Sequence, residues 1–156
     1  MFVLLNELRK IRRRIALPSS AKPGSLAVRH VDAGSCNGCE HELAAGFGPH
    51  YDLARHGLSV TASPRHADVL LVTGSITTRM AGPLRTAHAA MPQPRLVVAL
   101  GDCACGCRVL GELSELAGPL EELLPVDVRV PGCPPTPEVI EQGLLEALEL
   151  SRSGKN

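Results

Sequence analysis

Aromatic side chains are almost missing from this sequence: 156 residues contain no Trp, one Tyr and two Phe. The core must therefore be aliphatic, and an aromatic platform for stacking bases is excluded. Net charge is missing too, with 16 Lys and Arg against 16 Asp and Glu. A chain-wide basic footprint for nucleic acid is thus excluded. No apolar run approaches the roughly 18 residues of a membrane span, since Val69–Thr73 and Leu96–Leu100 are only strand-sized. The short apolar run Phe2–Leu5 precedes its basic cluster instead of following it, the wrong order for a secretory signal. A cytoplasmic, reducing setting is expected. The chain also lacks a G-x-G-x-x-G or P-loop pattern and the dense C-x₂-C-x₂-C repeat of two-cluster ferredoxins.

What remains suits one globular domain. Apolar residues make up 44% of the chain, enough for a core and too many for disorder. Fifteen Gly and 13 Pro predict many turns between short elements. Residues 1–30 carry seven basic side chains against one acid, Glu7. Leu4, Leu8, Ile11 and Ile15 fall at helical spacing, so residues 1–17 read as a basic amphipathic helix suited to docking on a membrane surface or membrane-bound partner. The alternative is a solvated arm with one packed stripe. Pro18 to Gly24 form a linker, so residues 1–24 are set apart from a domain over 25–150 and a short tail, 151–156.

From Ser25 onward, strands and helices alternate. Strands are expected at Leu26–Val31, Leu58–Ala62, Val69–Thr73, Leu96–Leu100 and Val126–Val130. Val69–Thr73 and Leu96–Leu100 are continuous apolar runs, as strands buried on both faces should be. Helices are expected over Glu40–His56 (broken by Gly46, Gly48 and Pro49), Arg79–Met91 with Pro83 near its first turn, Ser114–Leu124, and Pro137 to about Ser151 with Thr136 as N-cap. This alternation implies an α/β domain with a mainly parallel sheet.

The cysteines sit where such a sheet binds ligands. Cys36 and Cys39 follow the first strand as C-x-x-C, Cys103 follows Leu96–Leu100 by three residues, and Cys133 follows Val126–Val130 by three. Strand C-terminal ends share one edge, so three loops bring four thiols together. Four thiolates hold either Zn²⁺ or a 4Fe-4S cluster. Structural zinc sites usually use two close pairs, whereas Cys103 and Cys133 are singletons, and that spacing favours a cluster. A zinc-stabilised structural module stays as the alternative of another class. A redox dithiol would leave the other two loops unexplained. Gly34, Gly38, Gly101 and Gly132 beside these cysteines permit close backbone approach.

Four stretches carry a family resemblance: Gly34-Ser-Cys-Asn-Gly-Cys-Glu40, Ser63-Pro-Arg-His-Ala-Asp-Val-Leu-Leu-Val-Thr-Gly74, Pro92-Gln-Pro-Arg-Leu-Val-Val-Ala-Leu-Gly-Asp-Cys103 and Pro125-Val-Asp-Val-Arg-Val-Pro-Gly-Cys-Pro-Pro-Thr-Pro137. They resemble the 20 kDa subunit of respiratory complex I and, equally, the small subunits of membrane-bound NiFe hydrogenases. The resemblance spans about residues 25–150. It implies a flavodoxin-like, three-layer domain with one 4Fe-4S cluster at the C-terminal edge of the strands, ligated by Cys36, Cys39, Cys103 and Cys133. The implied role is electron transfer inside an oxidoreductase complex, with no complete active site in this chain alone. Implied partners are a large catalytic subunit, a ferredoxin-like iron-sulfur subunit and membrane subunits, at the cytoplasmic face of the inner membrane. Complex I subunits typically have two adjacent cysteines at the first position, whereas C-x-x-C followed by Glu resembles the hydrogenase branch. The complex I alternative would pass electrons from its terminal cluster to quinone.

The chain departs from the family after Cys103, where Ala104-Cys105-Gly106-Cys107 replaces small and polar residues. Either extra cysteine could in principle replace Cys103. Motif and strand position favour Cys103, leaving Cys105 and Cys107 as small packed side chains. Glu40 can contact the cluster surroundings, move protons toward a partner, or cap the following helix, with the cap slightly preferred. Thr77-Thr78-Arg79-Met80-Ala81 matches the quinone-facing segment of complex I. In a hydrogenase this surface would pack on the large subunit. Arg79 and Arg85 are expected to tune the cluster potential or to form interface ion pairs. His41 is the histidine nearest the cysteine loop in sequence, and Asp68 and Asp127 are expected to serve loop structure.

Overall fold

The computed structural model describes residues 24–107 and 113–153. The expected N-terminal helix over 1–17 and most of the linker lie outside the described residues. Five strands form one sheet: β1 (Leu26–Asp32), β2 (Leu58–Val60), β3 (Val69–Thr73), β4 (Leu96–Leu100) and β5 (Val128–Val130). Four helices connect or follow them: α1 (Gly38–Gly46), α2 (Thr78–Ala90), α3 (Leu120–Leu123) and α4 (Pro137–Ser153). The strand order is β2-β1-β3-β4-β5 and every pairing is parallel. That order is flavodoxin-like, and chain direction across the sheet reverses between β1 and β3, where such folds bind ligands.

Every residue of β3 and of β4 is buried. Side chains alternate across a strand, so each run supplies both layers. Val69, Leu71, Leu96, Val98 and Leu100 join Leu43 of α1 and Ile140, Leu144, Ala147 and Leu148 of α4. Leu70, Val72, Val97 and Ala99 face the opposite layer with Leu84 of α2 and Leu120 of α3. Each fully covered Leu or Val contributes roughly 1.5–3 kcal/mol, which fixes the central strands as a stiff base for the loops above them.

The N-terminal ends of the strands are latched by two acids. Asp68, just before β3, accepts from the backbone N–H of Ala27 in β1 at 2.8 Å. Asp127, just before β5, accepts from the N–H of Val97 in β4 at 2.7 Å. Both therefore serve the loop structure expected of them.

The helices follow expectation at the first break and depart from it in the later ones. The first ends at Gly46, and the chain up to His56 continues as turns and a short 3₁₀ segment, Leu53–His56. The expected helix over Ser114–Leu124 splits into Leu113–Glu115 and α3. Gly118 between them has φ +111°, outside helical space, and Pro119 follows it in an extended conformation. Pro83 lies inside α2, not in its first turn. The last helix runs on to Ser153. Among the described residues, no helix is long and apolar enough to cross a membrane.

Candidate metal centre

Above the C-terminal ends of β1, β3, β4 and β5 lies a cavity of about 130 Å³. Its lining includes Cys36, Cys39, Cys103 and Cys133, together with Gly38, Gly74 and Gly132. The two cysteines of the C-x-x-C bracket the start of α1, Cys103 starts one π-helical turn after β4, and Cys133 follows β5. Cys36 and Cys133 are exposed, while Cys39 and Cys103 are partly covered. The cavity therefore has a thiol-lined floor and an open mouth.

Two interstrand bonds hold the β4 and β5 loops side by side. The Asp102 N–H donates to the Gly132 carbonyl at 2.9 Å, and the Asp102 carboxylate accepts from the Gly132 N–H at 2.7 Å. Gly101 sits beneath the thiols with φ +87°. A Cβ added there would lie 2.5 Å from the Cys39 sulfur, so only glycine leaves that sulfur its place.

The donor set suits a metal group. Burial first, and then the negative charges of Glu40 and of Cys103, Cys36 and Cys133, together push the Cys39 thiol up to about 12. Thiolates crowded in this way require a compensating cation, and a coordinated metal supplies one and deprotonates the thiols. Four sulfurs around one zinc ion stand about 3.8 Å apart, from a Zn–S distance of ~2.3 Å. Here the thiols border the cavity, and among the described residues no three Cys, His, Asp or Glu close on a single ion. Four thiolates bordering one cavity can hold a metal ion or a cluster.

Glu40 stands in the first turn of α1, but its carboxylate reaches across to the sheet. Ser35 Oγ donates to Glu40 Oε2 at 2.6 Å, and the buried Thr73 hydroxyl donates to Glu40 Oε1. Since Thr73 gives its proton to Glu40, its oxygen accepts from His30 Nε2 at 2.8 Å. His30 Nε2 is also 3.5 Å from Glu40 Oε1. Burial alone would raise the Glu40 carboxyl, yet the bonds from Ser35 and Thr73, its own backbone N–H and the charge of His30 hold it below the usual value. Burial lowers His30, outweighing the pull of Glu40 and Asp32. A polar chain thus runs His30–Thr73–Glu40–Ser35 and ends at the cavity wall, because Ser35 lines it. Sequence reasoning missed His30 and Thr73. The available signal was a histidine inside an apolar strand that leads directly into the cysteine loop.

Cys105 is directed away from the cavity. It packs against the second core layer, and its thiol donates toward the Ala99 carbonyl at 3.7 Å. The Cys107 side chain lies outside the described part. His41 is exposed on α1. Thr77 caps α2 by accepting from the Met80 N–H at 3.3 Å. Arg79 and Arg85 are exposed on α2 and Met80 is half-buried, with none of the three lining the thiol cavity. Thr77 and Arg79 instead border a separate polar groove with Ser114 and Glu115.

Comparison with known proteins matches these loops to one family. The family model described as NADH ubiquinone oxidoreductase, 20 Kd subunit, matches residues 36–147. The probable membrane-bound hydrogenase subunit mbhJ of Pyrococcus furiosus is 42% identical over 144 residues, 92% of this chain and 86% of that protein. An NADH-quinone oxidoreductase subunit of Flavobacterium johnsoniae is 47% identical over 122 residues, 78% of this chain and 65% of that one. Among solved structures, a chain of the membrane-bound sulfane sulfur reductase, an archaeal respiratory membrane complex, aligns with TM-score 0.67 at 29% identity. That alignment covers 84% of this chain and 72% of the other.

Proposed function

Because the chain belongs to the NADH ubiquinone oxidoreductase 20 kDa subunit family, we propose that it carries one 4Fe-4S cluster held by Cys36, Cys39, Cys103 and Cys133. It is an electron-transfer subunit of a hydrogenase-like or complex I-type oxidoreductase. The observation that carries the cluster reading is the meeting of four thiols, from three strand-end loops, on one glycine-walled cavity. When bound, the cluster accepts and returns single electrons. The chain's own residues fix its place: Gly101 keeps room for the Cys39 sulfur, and Asp102 ties the Cys103 loop to the Cys133 loop.

The open mouth, with Cys36 and Cys133 exposed, suits a large catalytic subunit seated over it. Electrons then pass between the cluster and that subunit's active site. We favour a membrane-associated NiFe hydrogenase-like complex, peripheral on the cytoplasmic face of the inner membrane. Supporting this are the C-x-x-C-Glu form of the first loop and the long alignment with a probable membrane-bound hydrogenase subunit. A ferredoxin-like iron-sulfur subunit and membrane subunits complete that complex. In it, Thr77, Arg79, Met80 and Arg85 lie on an α2 surface available to a partner. The second reading, a complex I-type subunit delivering electrons to quinone, rests on the 47% identity with an NADH-quinone oxidoreductase subunit.

The test is purification of the complex through a tag on a partner subunit. Four iron per copy of this chain beyond the partners' content, with visible absorption that bleaches on reduction, is expected. Zinc in place of that band would overturn the cluster. Hydrogen-dependent dye reduction without quinone reduction supports the hydrogenase-like reading, and the reverse result supports the quinone reading.

A further inference from the structure

Cys36 and Cys39 lie where the chain leaves β1 and enters α1, outside the strand ladders. The usual lock is missing there. The N-cap residue of α1, Asn37, has φ +70° and makes no side-chain cap bond, although an N-cap Asn ordinarily accepts from a first-turn N–H. Side-chain carboxylates do the fastening instead. Asp32 accepts from the N–H groups of Gly34 and Ser35, both at 2.8 Å. Glu40 Oε2 accepts from Ser35 Oγ at 2.6 Å, and Ser35 Oγ accepts from the Asn37 N–H at 2.9 Å. Glu40 Oε1 accepts from the hydroxyl of Thr73, which is fully buried at the end of β3. His30 Nε2 bonds the Thr73 oxygen at 2.8 Å and so leaves the hydroxyl proton for Glu40. The residue before Cys36 and the residue after Cys39 are thereby tied to each other and to a central strand. Charge does not explain this arrangement, since the Glu40 carboxylate opposes ionisation of the Cys39 thiol.

We propose that Ser35 and Thr73 are positioning residues that, through Glu40, hold Cys36 and Cys39 in ligating position and so set how firmly the cluster is retained. The inference rests on the cluster reading above. A loop already fixed in its bound shape loses less freedom when its thiolates bind. Partners standing behind metal ligands commonly change metal affinity about 10–100-fold. Cys103 and Cys133 have a separate tie, the bonds between Asp102 and Gly132. Removing either hydroxyl of the clamp therefore leaves all four thiols present and loosens only the pair on the first loop. No proton or electron is moved by the clamp itself.

The experiment uses the assembled complex, reduced and kept free of oxygen. The cluster of this chain is identified as the electron paramagnetic resonance signal absent from Cys36→Ser. Decay of that signal under an iron chelator is compared among the unaltered complex, Ser35→Ala, Thr73→Val and Thr73→Ser. Ser35→Ala and Thr73→Val are expected to lose the signal about 10–100-fold faster. Thr73→Ser, which keeps the hydroxyl, is expected to decay at the unaltered rate. Ser35 lies outside the sheet, so its variant tests the clamp even where Thr73→Val fails to assemble. Decay of Ser35→Ala at the unaltered rate overturns the proposal. Decay of Thr73→Ser as fast as Ser35→Ala also overturns it, because the Thr73 hydroxyl is then not what holds Glu40. Failure of the underlying reading looks different, because the unaltered complex would then show no signal that Cys36→Ser removes.

Discussion

At the N-terminal ends of the strands, the sheet closes on its own polar groups. Asp68 catches Ala27 and Asp127 catches Val97, each acid preceding one strand and bonding the backbone of its neighbour. At the C-terminal ends, acids again accept backbone bonds, Asp32 from Gly34 and Ser35 and Asp102 from Gly132. There, however, they shape loops instead of sealing them. Gly34, Gly74, Gly101 and Gly132 all take positive φ at that end, and four thiols face a cavity with an open side. One edge is closed by its own hydrogen bonds; at the other, four thiols share one cavity. Stability and function are thereby separated along the strand axis.

The sharpest way to break this contrast is at the thiols. Replacing Cys36, Cys39, Cys103 or Cys133 singly by Ser should abolish or nearly abolish bound iron, measured as iron per chain in the purified complex. Cys105→Ser should retain it, because that sulfur lies in the core near Ala99. Retention of iron by Cys103→Ser together with loss in Cys105→Ser would move the ligand to the other cysteine. Next in size, Gly101→Ala should cut cluster content severalfold. It combines a left-handed backbone strain of about 1–3 kcal/mol with the displaced Cys39 sulfur. A fully loaded Gly101→Ala variant would show that the cradle is more yielding than its geometry implies.

At the closed edge the expectation reverses. Asp127→Ala leaves the buried Val97 N–H without its carboxylate, a loss of about 1–3 kcal/mol. It should lower the thermal midpoint of the cluster-loaded chain by several degrees with iron per chain unchanged. Iron loss as large as in the cysteine variants would erase the division between the two edges. The smallest effect concerns pH. Burial lowers His30 below its ordinary value of 6.5, with Glu40 and Asp32 pulling it up and Arg29 pushing it down. A lowered histidine binds more protons when unfolded, so its contribution is fully present above pH 6.5 and is lost as pH falls through its folded value. Denaturant unfolding at pH 7.5 and pH 5.5 should therefore show a slightly smaller acid-side loss of stability for His30→Gln than for the unaltered chain. An equal loss in both would mean that the ring is solvated despite its position.

Much of the framework was legible in the sequence. Val69–Thr73 and Leu96–Leu100 appear at their expected limits, because continuous apolar β-branched runs of that length suit only strands covered on both sides. The outer strands came out shorter, since β2 and β5 end where pairing on one side runs out. The Ser114–Leu124 segment misled because its acidic and aliphatic residues favour a helix while Gly118 and Pro119 interrupt it. The meeting of Cys36, Cys39, Cys103 and Cys133 was readable because each follows a strand closely, and parallel strands end on one edge.

Sequence by itself determined which segments become strands, that these are parallel, and that four thiols arrive at one edge, for periodicity and loop length are local properties. Only the tertiary structure decided which way side chains point once there. Cys103 and Cys105 are two residues apart, yet one lines the thiol cavity and the other enters the core, because the turn after β4 rotates them to opposite sides. Thr73 meets Glu40, 33 residues away in the chain, and His30, 43 residues away. Ser75 is left buried without a partner among the described residues, beside Cys103. Those contacts depend on the order β2-β1-β3-β4-β5 and on packing between layers, which bring together residues that no local pattern relates.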